Sequence, residues 1–181
     1  MEHDPEYVAA RRVLLHALGA LGAHRKAVVL VGARAIYLRV GAGDLAVAPF
    51  TTDGDLALNP AVLDDEPILA EVLRSAGFDL AVKPGTWSLT GVHVDLLVPA
   101  SLGGPGRRSA RLGPHGTAVA RKAKGLEAAI VDHGMIRLTA LETGDTREFE
   151  VAVAGLAALL VAKLHKLAER EATPERWAPT N

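Results

Sequence analysis

The chain has 181 residues, of which 49% are hydrophobic and 23% are charged, with a formal net charge of -1 and no cysteine. This length and composition are typical of one globular domain and exclude a disordered or collagen-like chain. The lack of cysteine excludes disulfides, thiolate zinc sites and cysteine nucleophiles, and the small net charge excludes a global attraction to nucleic acid.

The sequence contains no pattern for export or membrane insertion. Its first residues are polar and acidic, unlike the basic region and apolar run of a signal peptide. The apolar segment 151–167 is interrupted by two lysines and a histidine, which predicts that it does not span a membrane. We therefore expect a cytoplasmic protein in which residues 1–171 form one domain and residues 172–181 a loose tail.

The first elements are predicted to be a helix over 4–22 and a strand over 27–31. The strand is a continuous apolar run, which is typical of a strand buried on both faces. Gly32 then turns the chain into a second helix, and such a turn leaves backbone N–H groups free to bind a phosphate. Similar turns are also common without a ligand. Arg34 and Arg39 on this helix reach either a phosphate or water.

Two aspartates, Asp53 and Asp55, stand at the start of the next predicted strand. Side chains two apart on a strand share a face, so both carboxylates point the same way. At about 4 Å and an effective dielectric of about 20 they repel by roughly 4 kcal/mol, so water, a proton, an arginine or a divalent cation must offset the charge. Hard oxygen ligands at this spacing suit magnesium, and the alternative is a solvated Asp-Gly-Asp turn.

A third aspartate, Asp95, lies inside an apolar strand. The acidic segment 64–67 first predicts a helix start, and Gly77 ends that helix. Residues 80–83 and 87–98 then predict a hairpin whose second strand carries Asp95. A charged side chain in a buried strand must be paired or bind a metal, and the alternative is a charge on an edge strand.

The segment that follows is basic, since no acidic residue lies between Asp95 and Glu127. Its cations are Arg107, Arg108, Arg111, Arg121, Lys122 and Lys124. Such a segment either meets the phosphates of a nucleic acid or forms an ordinary solvated loop and helix face.

The last predicted elements are a hairpin formed by 135–141 and 148–153, and a helix over 155–171. At about 100° per residue, a stripe of leucines follows one side of this helix. These leucines are Leu156, Leu159, Leu160, Leu164 and Leu167. Lys163 falls inside the stripe, where it either extends to water along its aliphatic stem or meets an anion in a cleft.

The order of these features resembles the nucleotidyltransferases of the DNA polymerase beta superfamily. Four segments look like the AbiEii-type toxin nucleotidyltransferases. They are Val-Gly-Ala-Arg-Ala (31–35), Thr-Thr-Asp-Gly-Asp-Leu (51–56), Val-Asp-Leu-Leu (94–97) and Leu-Leu-Val-Ala-Lys-Leu-His-Lys-Leu (159–167). The resemblance covers residues 27–170. It implies an α/β (α+β) fold, in which a mixed β-sheet is flanked by helices and followed by a C-terminal helix.

The resemblance also implies an activity. Relatives of this kind transfer a nucleoside monophosphate from an NTP to an acceptor hydroxyl with Mg²⁺ as cofactor. RNA, in particular tRNA, is the implied acceptor class, and the implied context is a toxin-antitoxin system with an antitoxin protein as partner. The alternatives are a non-catalytic module that binds nucleotide or RNA in the same cleft, and an adenylyltransferase that acts on a small molecule or a protein.

The resemblance assigns the metal to three carboxylates. Asp53, Asp55 and Asp95 are implied to hold one or two Mg²⁺ ions, and Asp95 is implied to help deprotonate the acceptor hydroxyl. Thr51 or Thr52 would orient the carboxylates, and Thr52 is assigned to the nucleotide site.

The remaining implied contacts are to phosphate. Gly32 and Ala33 would cradle a phosphate through their backbone N–H groups, and Lys163 would meet the triphosphate. Ala33 departs from the glycine or serine that is usual at its position, which keeps the N–H and removes a hydroxyl contact. Pro49 stands where an arginine is common. A Lys-Asp-x-x-Asp-like motif, which relatives often carry after the lysine-bearing helix, does not occur in the sequence.

Overall fold

The computed structural model describes residues 4–41 and 53–172, and it confirms the predicted fold class, a mixed β-sheet flanked by helices with a C-terminal helix. The helices are α1 (Pro5–Ala20), α2 (Gly32–Val40), α3 (Leu69–Ser75), α4 (Glu127–Val131) and α5 (Leu156–Ala172). The strands are β1 (Val28–Val31), β2 (Gly54–Leu58), β3 (Asp79–Leu80), β4 (Thr86–Leu89), β5 (Val92–Pro99), β6 (Arg121–Ala123), β7 (His133–Thr139) and β8 (Glu148–Ala154).

Some predictions fall outside the described residues. These include the assignments of Thr51 and Thr52 and the predicted tail beyond Ala172. The division of the chain into one domain and a tail stays a prediction. No helix in the described ranges combines the length and the apolar character that crossing a membrane requires.

The eight strands form one sheet in the order β3-β4-β5-β2-β1-β8-β7, and β6 pairs with β5. The neighbours β1 and β2 are antiparallel, whereas β2 and β5, β1 and β8, and β5 and β6 are parallel. Strand β5 therefore has β2 on one side, and β4 and β6 on the other. This arrangement overturns the edge-strand alternative for Asp95, because its strand is paired on both sides.

The sheet has a different helix layer on each face. Strand β1 lies inside the sheet between β2 and β8, and its four residues are all buried, as the apolar run predicted. A Cβ built on Gly54 would lie 3.2 Å from Leu14, so this position of β2 faces α1. Because side chains alternate along a strand, Asp55 faces the opposite layer, where α2 packs on β1 and β2.

Two predicted boundaries were wrong. The segment 87–98 is not one strand, because a turn at Thr90 and Gly91 divides it into β4 and β5, which pair with each other. Both turn residues have positive φ, which is the geometry of a tight hairpin turn. The third helix begins at Leu69, after the predicted acidic start.

Helix α5 buries a side that includes only one leucine of the predicted stripe, Leu159. Leu156, Leu160, Leu164 and Leu167 are each more than half exposed, whereas Ala158 and Leu159 are buried. Small side chains let the helix approach its neighbours α2 and α4 closely.

Both ends of α5 are anchored. At its start, the Asp132 carboxylate accepts a hydrogen bond from Ala158 N at 3.1 Å, as a capping residue does. Further along, Glu169 forms an ion pair with Lys124 at 3.7 Å. Helix α5 therefore bridges the end of β8 and the end of β6, which lie on either side of the strands that carry Asp55 and Asp95.

Candidate functional site

The structure brings the aspartates of two separate motifs side by side. Asp55 on β2 is in register with Asp95 on β5, so adjacent strands, about 4.8 Å apart, place both side chains on one face. Asp53 lies just before β2, and by the alternation of the chain it points toward the same layer. We call Asp53, Asp55 and Asp95 the acidic face.

The turn into α2 lies directly against this face. Gly32 has a φ of 72°, a conformation that favours glycine, and it begins α2 immediately after β1. A Cβ on Gly32 would lie 2.9 Å from Asp55 Cγ and closer still to Oδ2. Only a residue without a side chain therefore lets the Asp55 carboxylate lie at the N-terminal end of α2, where the helix dipole is positive.

Asp55 is electrostatically strained in its ionised form. Burial raises the pKa of Asp55 above its ordinary value, and the negative charges of Asp95 and Asp53 raise it further. The positive charges of Arg121 and Lys166 oppose this effect without reversing it. A cation beside Asp55 would relieve the repulsion.

Asp95 is already neutralised by the protein. Thr86 Oγ1 donates a hydrogen bond to Asp95 Oδ1 at 2.6 Å, Arg121 Nη2 forms a short ion pair with Oδ2, and Lys83 Nζ lies 3.8 Å from the same oxygen. Burial acts to raise the pKa of Asp95, but the hydrogen bonds from Thr86 and Arg121 and the nearby positive charges hold it below its ordinary value. Of the two explanations for a charged residue in this strand, pairing is the one that the structure shows.

Asp53 is the most accessible of the three. Its side chain is 57% exposed and lies 4.0 Å from His93 Nδ1. Its backbone carbonyl accepts a hydrogen bond from Arg34 Nε at 3.2 Å. Arg34 itself is buried, with its guanidinium 5.3 Å from the Tyr7 ring, and burial lowers the pKa of Arg34 to about 10. Arg34 thus positions the chain at Asp53.

The carboxylates of the acidic face suit Mg²⁺ as two ligands, not as three. Within residues 4–41 and 53–172, no group of three or more acidic or histidine side chains is placed to hold a metal ion. The Asp95 carboxylate forms ion pairs with Arg121 and Lys83. Magnesium is commonly held by one or two carboxylates together with substrate phosphates. Asp53 and Asp55 fit that requirement, and Asp95 as a metal ligand stays a prediction.

Two lysines of α5 approach the site differently. Lys166 is the residue of this helix whose positive charge acts on the pKa of Asp55. Lys163, assigned by the resemblance, is exposed. On the helical wheel the two lie about 60° apart, on either side of the buried Leu159. The assignment of Lys163 to the triphosphate stays a prediction, as does that of Ala33.

The basic segment is divided between internal and solvent-facing roles. Arg121 binds Asp95, and Lys124 pairs with Glu169. Lys122 Nζ donates to the backbone carbonyls of Gly104 and Gly106 and so holds the preceding loop. Arg107, Arg108 and Arg111 are exposed, and so is the side chain of Lys124 beside Glu169.

Arg39 has a structural role. It donates from its guanidinium to the carbonyls of Ala154, Gly134 and Val153, which ties the end of α2 to the sheet. The predicted contact of Arg39 was either water or a phosphate. The structure shows contacts with backbone carbonyls instead.

Comparison with known proteins gives no family. No family model, curated protein or solved structure matches this chain. The geometry of the site is therefore the basis for inferring a function.

Sequence reasoning missed four residues that act at this site. Lys83, Thr86 and Arg121 surround Asp95, and Lys166 acts on Asp55. The sequence did signal that Asp95 needs a partner, because an aspartate in an apolar strand must be paired. That signal does not identify the partner, since Arg121 lies 26 positions along the chain.

The raised pKa of Asp55 predicts a gain in stability when its charge is removed. Ionised Asp55 opposes folding at neutral pH, so Asp55→Asn is expected to raise the free energy of unfolding at pH 7 by about 0.5 to 2 kcal/mol. This gain in the free energy of unfolding should shrink as the pH falls through the folded-state pKa of Asp55. It should vanish below about pH 3.9, where Asp55 is protonated in both the folded and the unfolded protein. Urea unfolding in EDTA across this pH range measures it, with Asp79→Asn at an exposed position as the control. If Asp55→Asn does not raise the free energy of unfolding at pH 7, the ionised Asp55 carboxylate is not destabilising in the folded protein.

Proposed function

We propose that this protein is a metal-dependent nucleotidyltransferase, which transfers a nucleoside monophosphate from an NTP to a hydroxyl of an RNA acceptor. The observation that carries the proposal is the acidic face itself. It consists of two in-register aspartates and a third exposed one, set against a glycine turn at the start of a nine-residue helix. Phosphoryl transfer depends mainly on positioning and charge neutralisation, which such a site supplies.

Each residue has a role in this proposal. Asp53 and Asp55 hold Mg²⁺, which neutralises the charge on the triphosphate and its leaving pyrophosphate when bound. The backbone N–H groups of Gly32 and Ala33 orient a phosphate. Asp95 has a lowered pKa, which makes it a weak proton acceptor, so its role here is to position Arg121.

The solvent-exposed cations of the basic segment favour RNA as the acceptor. Arg107, Arg108 and Arg111 are exposed and lie in the segment that leads to β6. A small acceptor needs no extended cationic track, whereas a nucleic acid backbone is recognised through one.

The proposal is tested by incubating the protein with Mg²⁺, each of the four α-labelled NTPs and total RNA. Label should appear in RNA and be absent in EDTA. The second candidate, a non-catalytic module, is favoured by the pairing of Asp95 with Arg121 and Lys83. It predicts nucleotide binding without label transfer.

The two α5 lysines provide a separate prediction. Lys163→Ala and Lys166→Ala are each expected to raise the KM for the nucleotide about tenfold, because each removes a cation near a bound triphosphate. Arg74→Ala on α3 is the control, since α3 packs with α1. Steady-state kinetics measures the effect. An effect of Lys166→Ala alone would refute the role assigned to Lys163, and no effect of either would remove α5 from the site.

A further inference from the structure

The site has an excess of positive charge at one end and of negative charge at the other. A single carboxylate, Asp95, faces both Lys83 and Arg121. At the other end, Asp53 and Asp55 are neighbours, and their mutual repulsion contributes to the raised pKa of Asp55. A cation and an anion bound side by side would complement this distribution, and a metal-chelated polyphosphate is such a ligand.

Arg121 retains capacity to bind a ligand while it holds Asp95. Its side chain is 24% exposed, and Nη2 contacts Asp95. Its Nε is buried and has no hydrogen-bond partner among the described residues. A guanidinium has five N–H donors in a planar fork, so Arg121 can hold Asp95 with Nη2 while its other terminal nitrogen, Nη1, donates to a phosphate.

Lys83 contributes a more mobile charge. Its side chain is 61% exposed, and its ammonium group lies at 3.8 Å from Asp95, longer than a hydrogen bond. An ammonium is a point charge with three donors, which can move from a loose ion pair to a phosphate oxygen with little cost.

The backbone fixes these two cations relative to each other. Gly85 follows Lys83 by two residues and has a φ of 77°. A Cβ on Gly85 would lie 2.6 Å from both Arg121 N and Leu96 O, so the turn lies directly on the backbone of β6 and β5. Gly85 also donates to Ala118 O at 2.9 Å and accepts from Leu96 N at 2.7 Å. The turn that carries Lys83 is thus hydrogen-bonded to β5 and packed against the start of β6, which carries Arg121.

We propose that Lys83 and Arg121 form a phosphate-binding subsite beside Asp53 and Asp55, and that this subsite takes the triphosphate of the nucleotide. The inference rests on the proposed function for the identity of the ligand. It adds a recognition site for the polyphosphate, on the opposite side of the acidic face from the Gly32 turn, formed by residues of β6 and the β3–β4 turn.

The test uses inorganic tripolyphosphate as the probe and isothermal titration of the full chain in EDTA, so that it requires neither metal nor turnover. Arg121→Ala and Lys83→Ala are each expected to weaken tripolyphosphate binding about tenfold or more. Arg121→Lys should bind with intermediate affinity, because it keeps the charge and loses the fork. Arg74→Ala, which removes an exposed cation of α3, should bind tripolyphosphate as the unaltered protein does.

The controls separate the outcomes. Thermal unfolding checks that Arg121→Ala is folded, and Lys83→Ala changes an exposed side chain, so it reports on the subsite even if Arg121→Ala does not fold. Tripolyphosphate binding that is absent, or unaffected by Lys83→Ala, overturns the subsite. The variants are also titrated with an RNA oligonucleotide that lacks a 5′-triphosphate. If Lys83→Ala and Arg121→Ala weaken binding of this RNA but not of tripolyphosphate, the two cations bind the RNA backbone, and the subsite is overturned. Binding through Lys83 and Arg121 without label transfer supports the subsite and refutes only the transferase.

Discussion

Replacing Asp55 with asparagine is expected to reduce nucleotide transfer by about a thousandfold while leaving the protein folded. Asp55 is the aspartate that interacts with the largest number of groups at the site, among the described residues. It is in register with Asp95, its carboxylate lies against Gly32, and its pKa responds to the charge of Lys166. Asparagine keeps the shape of the side chain and removes the negative charge that a divalent cation requires.

The same substitution has opposite effects on activity and on stability. The expected gain in the free energy of unfolding means that a loss of activity cannot be attributed to unfolding. Label transfer to RNA under single-turnover conditions measures the activity. Asp79→Asn, on β3 at the far edge of the sheet, is the matched control and should retain full activity. Activity within about tenfold of the unaltered protein in Asp55→Asn would mean that Asp55 does not hold the metal.

Replacing Gly32 with alanine is expected to lower the free energy of unfolding by about 2 to 4 kcal/mol. One part is the backbone, because an alanine at a φ of 72° is disfavoured. The other part is steric, because the new Cβ would contact the Asp55 carboxylate, which has little room to move between Gly32 and Asp95. Urea unfolding at neutral pH measures the loss.

Two companion variants separate these parts. Gly41→Ala at the end of α2 has a similar φ of 77° but, among the described residues, no atom within 4 Å of its Cβ, so it should cost only the backbone part of about 1 to 3 kcal/mol. In an Asp55→Ala background, Gly32→Ala should cost about the same as Gly41→Ala, since the carboxylate is gone. Equal costs for Gly32→Ala and Gly41→Ala in the unaltered protein would show that the close contact with Asp55 is not energetically important.

Local patterns in the sequence were sufficient for the parts of the site that depend on neighbouring residues. The apolar run before Gly32 predicted a buried strand, and β1 is buried throughout. The glycine predicted a turn into a helix, and α2 begins at that residue. The spacing of Asp53 and Asp55 predicted a shared direction at the start of a strand, and β2 begins between them.

The parts that depend on long-range pairing were not predictable. Strand β6 has three residues and pairs in parallel with β5, so no periodicity indicates that Arg121 lies at Asp95. The leucine stripe of α5 indicated an amphipathic helix, but periodicity does not identify the side that packs. The buried side carries Ala158 and Leu159, and small residues there leave a weak signal in the sequence.

Diffraction from crystals grown with Mn²⁺ and a non-hydrolysable NTP tests the central claim most directly, because the anomalous signal locates the metal. We expect a peak within about 2.5 Å of carboxylate oxygens of both Asp53 and Asp55, with the triphosphate of the nucleotide in contact with the metal. A metal and nucleotide bound elsewhere, with these two carboxylates free of the cation, would contradict it.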